Sequence, residues 1–218
     1  MSERAVAQSR TRLRLVQAAV AGLVVFILLY VAMRVWKDVP HLADGPRPVE
    51  DADRAYVEHP WLAYLHIAPG VLYLLGAPLQ LAYGIRCRHY TLHRRLGRIL
   101  LTAGLLSGVF AIVFGVLYSY GGAGEAAASV VFGGWFVGCL VVAFRAVRRD
   151  DIVRHRRWMI RAFAVGIGVG TIRIWIILLT ELGVLELKES FAPAFWVSFA
   201  THVLVAEWWV RTTPHPPG

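Results

Sequence analysis

Residues 93–118 read His-Arg-Arg-Leu-Gly-Arg followed by ILLTAGLLSGVFAIVFGVLY, and residues 155–180 read His-Arg-Arg-Trp-Met-Ile-Arg followed by AFAVGIGVGTIRIWIILLT. Each is a cationic, imidazole-bearing signature directly ahead of an apolar run. A run of about 20 apolar residues is what a helix needs to cross a hydrocarbon core roughly 30 Å thick. The two signatures therefore announce two helices that enter the bilayer from the same side. They also place two titratable rings at matching depth.

Working outward, the same pattern recurs. The 218 residues are 57% hydrophobic and only 17% charged, against about 25% in an ordinary soluble domain. Apolar runs predict six spans, at 15–36, 61–84, 97–119, 127–146, 159–180 and 192–211. The predicted fold is an all-α polytopic membrane helix bundle, since only helices and closed barrels satisfy every backbone group in lipid. Residues 1–14 form an N-terminal segment, 15–211 one membrane domain with a loop at 37–60, and 212–218 a tail. The loop is rich in Pro and Asp and has room for one short interfacial helix. An uncleaved first helix is expected, because its apolar run is too long for a signal peptide and no small-x-small site follows.

A net charge of +9 raises the question of nucleic acid, and its distribution answers it. Arginines gather before helix 1, between helices 2 and 3, and between helices 4 and 5. The alternate loops carry Asp38, Asp44, Glu50, Asp51, Asp53 and Glu58, then Glu181, Glu186 and Glu189. This is the positive-inside pattern, which puts both termini in the cytoplasm of a bacterial inner membrane. The basic face then meets anionic headgroups, and no nucleic-acid partner is called for. The two cysteines, Cys87 and Cys139, form neither a metal motif nor an expected disulfide.

Glycine pairs four apart, Gly104/Gly108, Gly134/Gly138 and Gly166/Gly170, predict close packing of helices 3, 4 and 5. Trp61, Trp135, Trp158, Trp196, Trp208 and Trp209 fall near span ends as an aromatic belt, whereas Trp175 is deeper and is expected in the core.

Ionisable groups inside spans are costly and mark candidate sites. They are His66, Arg173, His202 and Glu207. At 1.5 Å per residue, His66 lies roughly 7 Å below the outer boundary, Arg173 roughly 12 Å and His202 roughly 16 Å, so one outer pocket is expected to gather the three. Glu207 lies near the inner surface and is expected to pair with Arg98 or Arg161. Arg173 stays charged, so it requires a carboxylate, carbonyls, water or a bound anion such as a haem propionate.

His66 and His202 fit axial haem ligation, hydrogen bonds to a quinone, or polar contacts between helices. Their depth difference of roughly 9 Å strains the haem pairing. His93 and His155 are better matched in depth. With Arg94, Arg98, Arg157 and Arg161 around them, they suit a rim site for propionates, a quinone or an anion, or simple topology anchors. No Walker A loop, HExxH, Cys-x-x-Cys-His or Gly-x-Ser-x-Gly occurs.

The stretch HIAPGVLYLLGAPLQLAYGIRCRHYTLHRRLGR at 66–98 and HRRWMIRAFAVGIGVGTIRIW at 155–175 resembles a bacterial family of predicted multi-pass membrane proteins. The resemblance covers roughly residues 60–210. It rests on a His-x3-Gly, a Gly-x-Pro-x-Gln, an HRxxGR and an HRRWMIR pattern. By position it implicates His66, Gly70, Gly76, Pro78, Gln80, Arg86, His93, Arg94, Gly97, Arg98, His155, Arg157, Trp158, Met159, Arg161 and Arg173. In helix 6 the family more often carries Asn where His202 stands, with Glu207 kept. The architecture is similar to di-haem b-type membrane cytochromes. These observations frame three functions: an electron-transfer protein binding haem b or quinone, an accessory or assembly subunit of a larger membrane complex, or a small transporter.

Overall fold

The computed structural model describes residues 3–45, 49–81, 85 and 88–213, without the side chains of 3–10, 12, 13, 44 and 81. Arg86, Cys87 and the tail beyond Thr213 lie outside these residues. The described residues form seven helices: α1 Glu3–Asp44, α2 Asp51–Glu58, α3 Pro60–Leu81, α4 Tyr90–Leu117, α5 Ala123–Val147, α6 Ile152–Glu181 and α7 Leu187–Thr212. Sequence neighbours pack side by side from α3 through α7. In addition α5 touches α7, and α1 lies against α6 and α3.

Five helices are long and apolar enough to cross a membrane: α1, α3, α4, α5 and α6. The sixth predicted span is α7, which falls outside this group. Its 26 residues measure about 39 Å, ample for a bilayer. Lys188, Glu189, Glu207 and Arg211 are what dilute its apolar content. The helices also overrun the predicted spans. α1 continues through Pro40 to Asp44, so the first third of the expected 37–60 loop is helical. α2 is the short helix expected within that loop. α4 and α6 begin early enough that His93 and His155 belong to their first turns.

Two of the three glycine pairs pack as expected. A methyl on Gly104 would lie 2.9 Å from the Tyr73 ring and 3.0 Å from Leu140, and one on Gly108 would lie 2.8 Å from Phe136 and Val137. Gly166 faces the other edge of Tyr73, and Gly170 receives Leu23 and Ile27 of α1. Gly134 and Gly138 do not pack inward: nothing stands within 4 Å of a methyl placed on either. The buried face of α5 carries Phe132, Phe136 and Leu140, and a two-residue offset turns a helix position about 200° away. Four-residue spacing tells that two glycines share a face, not which face. Trp175 is likewise 38% exposed, on the outward side with Ile174, Ile177 and Leu178, instead of in the core.

Candidate functional site

At the α2 end of the bundle, six helices bring polar side chains together. α3 and α4 run antiparallel, which sets His66 beside Ser107. The His66 Nδ1 lies 3.0 Å from the Ser107 carbonyl oxygen. A carbonyl only accepts, so Nδ1 carries the proton and a neutral ring offers Nε2 as an acceptor. The Ser107 hydroxyl donates back to the His66 carbonyl at 2.9 Å. Gly70 makes this possible, since a methyl there would come within 2.8 Å of Ser107 Oγ. The His-x3-Gly spacing thus has a local reason. Ser107→Ala is expected to cost about 1 kcal/mol, read as a lower unfolding midpoint in detergent, because it strips a buried hydrogen bond.

Arg173 of α6 reaches into the same region. Its guanidinium carbon sits 4.6 Å over the Tyr30 ring of α1. Its Nε is buried and makes no hydrogen bond. Among the described residues no carboxylate forms an ion pair with it. It does lie within electrostatic reach of Tyr56, His66 and Glu125. Glu125, 7% exposed at the start of α5, accepts a 2.6 Å bond from the Gly121 amide.

A second cation organises the cover. Arg34, 7% exposed, binds both Asp38 carboxylate oxygens at 3.0 Å through Nε and pairs with Asp53 of α2. The Tyr64 hydroxyl donates to Asp38 at 2.9 Å. Arg34 also stacks 4.4 Å over the Tyr56 ring, which in turn meets Phe114 of α4 at 5.0 Å. His59 stacks on Tyr118 at 4.3 Å. α2 is therefore pinned across the ends of α1, α3 and α4. Burial raises the Tyr56 phenol above its ordinary value, with the Arg173 and Arg34 charges opposing. Tyr56 accordingly stays protonated at neutral pH and remains a donor.

The fixed charges here are Arg34, Lys37 and Arg173 against Asp38, Asp53 and Glu125, so the cluster balances when all are ionised. Tyr30, Arg34, Asp38, Tyr56, Ser107 and Glu125 were not among the expected site residues. The Arg34-x3-Asp38 spacing, one helical turn, was the available signal for two of them.

His202 does not join His66 and Arg173. Its Nε2 lies 3.1 Å from Thr171 Oγ1, within a cluster where Ser198 donates to the Gly168 carbonyl at 2.7 Å. Thr171 and Arg173 are two positions apart and point to nearly opposite faces of α6. His202 is thus a contact between α6 and α7. The other end of the bundle holds the basic signatures. His155 donates through Nδ1 to the Ala143 carbonyl of α5 at 2.9 Å. His93 is half-buried on α4, and Arg94, Arg98 and Arg157 are exposed. Arg161 pairs with Glu207 through two oxygens, one at 2.9 Å, over the Trp158 ring at 4.7 Å. This is the pairing expected for Glu207.

No curated protein and no solved structure matches this chain. The sequence profile of the DUF2306 family, described as predicted membrane protein, matches residues 63–210, more than half of the chain. That segment holds His66, Ser107, Glu125 and Arg173, and with five apolar helices of membrane-crossing length the chain belongs to the DUF2306 family of predicted membrane proteins.

Proposed function

We propose that this is a quinone-binding electron-transfer protein of the bacterial inner membrane, its site under α2 in the outer half of the bundle. The observation that carries the reading is the buried, unpartnered Arg173 Nε beside an imidazole whose Nε2 is left to accept. A quinone headgroup is neutral, arrives through the membrane and presents carbonyl acceptors. Arg173 and Tyr56 supply donors for it. His66 Nε2 accepts from a quinol hydroxyl, and the Ser107 carbonyl then steadies the charged ring through Nδ1–H. With all six groups ionised the surround is neutral, which suits a neutral ligand better than an anion. The basic end lies against anionic lipid on the cytoplasmic side.

A haem has one observation in its favour: His66 and His155 both give Nδ1–H to a backbone carbonyl, as metal-binding histidines do. An axial pair also needs two rings that face one another, and His66 and His202 lie on opposite sides of α6.

The test is solvent extraction and chromatography of protein purified in mild detergent. Quinone is expected with the native chain and is expected to be lost from Arg173→Gln. A native preparation free of quinone after incubation with a short-chain ubiquinone or menaquinone analogue overturns the proposal. A Soret band in that preparation would favour the haem form instead.

A further inference from the structure

Where α6 meets α7, the polar contacts outnumber the protons that can make them. Ser198 Oγ lies 2.7 Å from the Gly168 carbonyl oxygen, and Thr171 Oγ1 lies 2.9 Å from the same oxygen. The two hydroxyls also hydrogen-bond one another, and Thr171 Oγ1 lies 3.1 Å from His202 Nε2. Each hydroxyl has one proton to give. One serves the Gly168 carbonyl and the other the Thr171–Ser198 contact, because oxygens in contact with no proton between them repel. Both are then spent, so His202 Nε2 carries its own proton and donates it to Thr171. No carboxylate pairs with the ring among the described residues, and a neutral imidazole has a single N–H. His202 Nδ1 is therefore left with its lone pair.

The ring is half-buried, and its Nδ1 has no hydrogen-bond partner among the described residues and is not enclosed by them. It stands roughly 16 Å below the outer boundary, near the middle of a hydrocarbon core roughly 30 Å thick. Neither water nor a phospholipid headgroup serves an acceptor at that depth. The surface beside it is open. Gly168 of α6 faces Phe199 of α7, and Gly170 faces Ile27 of α1. At about 100° per residue, Thr171, Ile174, Trp175 and Leu178 all fall between those two directions. The last three are exposed. A groove thus runs along α6 between α7 and α1, with an indole and apolar side chains on its floor and one bare acceptor at its α7 edge.

We propose that this groove, on the side of α6 away from Arg173, is a second site and takes an isoprenoid quinol from the membrane. One quinol hydroxyl donates to His202 Nδ1 and the ring lies against Trp175. A quinol brings a hydroxyl donor to a depth that headgroups do not reach, together with an aromatic face for the indole. An oxidised quinone has only acceptors and cannot make this bond, so the groove prefers the reduced carrier. The inference shares a ligand class with the reading above but none of its residues, and either can fail alone.

The full chain in mild detergent is titrated with a short-chain quinol analogue kept reduced, and with the dimethyl ether of that quinol, which has the same ring and no hydroxyl. The rise of the unfolding midpoint with dose gives the two affinities. Both titrations are run on the native chain and on Arg173→Gln, which disables the outer site. In each, the quinol is expected to bind about tenfold more tightly than the ether. His202→Phe keeps the bulk of the ring and leaves Thr171 and Ser198 their own hydrogen bonds. Added to Arg173→Gln, it is expected to erase the preference for quinol. Trp175→Leu is expected to weaken quinol and ether alike and carries the test should His202→Phe not fold. Equal affinities for quinol and ether in the Arg173→Gln chain overturn the proposal, as does a preference that survives His202→Phe or binding unchanged by Trp175→Leu. A preference sensitive to His202→Phe in a chain that retains no quinone at Arg173 sinks only the outer-site reading.

Discussion

Arg34→Ala is expected to lower stability by about 3–5 kcal/mol, the largest effect of any single truncation in this chain. Arg34 is the shared partner of two carboxylates on different helices. Asp38 is 2% exposed, so its charge has no water to turn to once the guanidinium is gone. Tyr64 donates one hydrogen bond to Asp38, too little to replace a cation. Asp53 would keep only Lys37, 3.5 Å away and largely solvated. Tyr56 would lose the cation over its ring, and α2 its main tie to α1. Thermal unfolding in detergent reads the first effect, and faster hydrogen exchange in 51–58 reads the second. The paired change Arg34→Met with Asp38→Leu separates charge from packing. It removes both members of the buried pair and is expected to recover most of the loss. If the single variant unfolds within about 0.5 kcal/mol of the native chain, Arg34 is not the tie described.

Gly104→Leu is the second large effect. A methyl at 104 already presses on Tyr73 at 2.9 Å and on Leu140 at 3.0 Å, and Leu140 is fully buried. On its far edge the Tyr73 ring has room for about a methyl beside Gly166, less than a leucine side chain needs. A leucine must therefore push α4 away from α3 and α5, at about 1–3 kcal/mol or more. Gly134→Leu is the control. It makes the same chemical change on a helix face where nothing stands within 4 Å, and it is expected to change stability by no more than about 0.5 kcal/mol. Equal unfolding midpoints for the two variants would refute the packing described for α3, α4 and α5.

What the sequence disclosed follows from what is periodic and what is not. Apolar runs report length in lipid, so α1 and α3 through α6 were legible, with the starts of α4, α5 and α6 placed several residues late. α7 was legible by its run at 192–211, although its most apolar stretch is less apolar than those of the other long helices. Counting 1.5 Å per residue put His66 and Arg173 at comparable depth, and the structure brings them together. The same count could not separate His202 from them, because depth is blind to azimuth: His202 and Arg173 address opposite sides of α6. Azimuth also decided Gly134, Gly138 and Trp175. Arg34 and Asp38 were hidden for a different reason. They fall at the end of an apolar run, where charges normally mark water, and only the packing of α2 over them reveals that they are buried.

The arrangement of α1 and α2 divides the candidate site along the chain. The segment that matches the family profile begins at residue 63, so it supplies His66, Ser107, Glu125 and Arg173. Tyr30, Arg34, Asp38, Asp53 and Tyr56 all precede it. The candidate site thus has its floor inside the matched segment and its roof ahead of it. Changing the roof would alter the polarity, the donors and the access that the same guanidinium and imidazole meet, while the five packed helices below kept their contacts. Substitutions among residues 30–56 therefore reshape the roof without touching a residue of the matched segment.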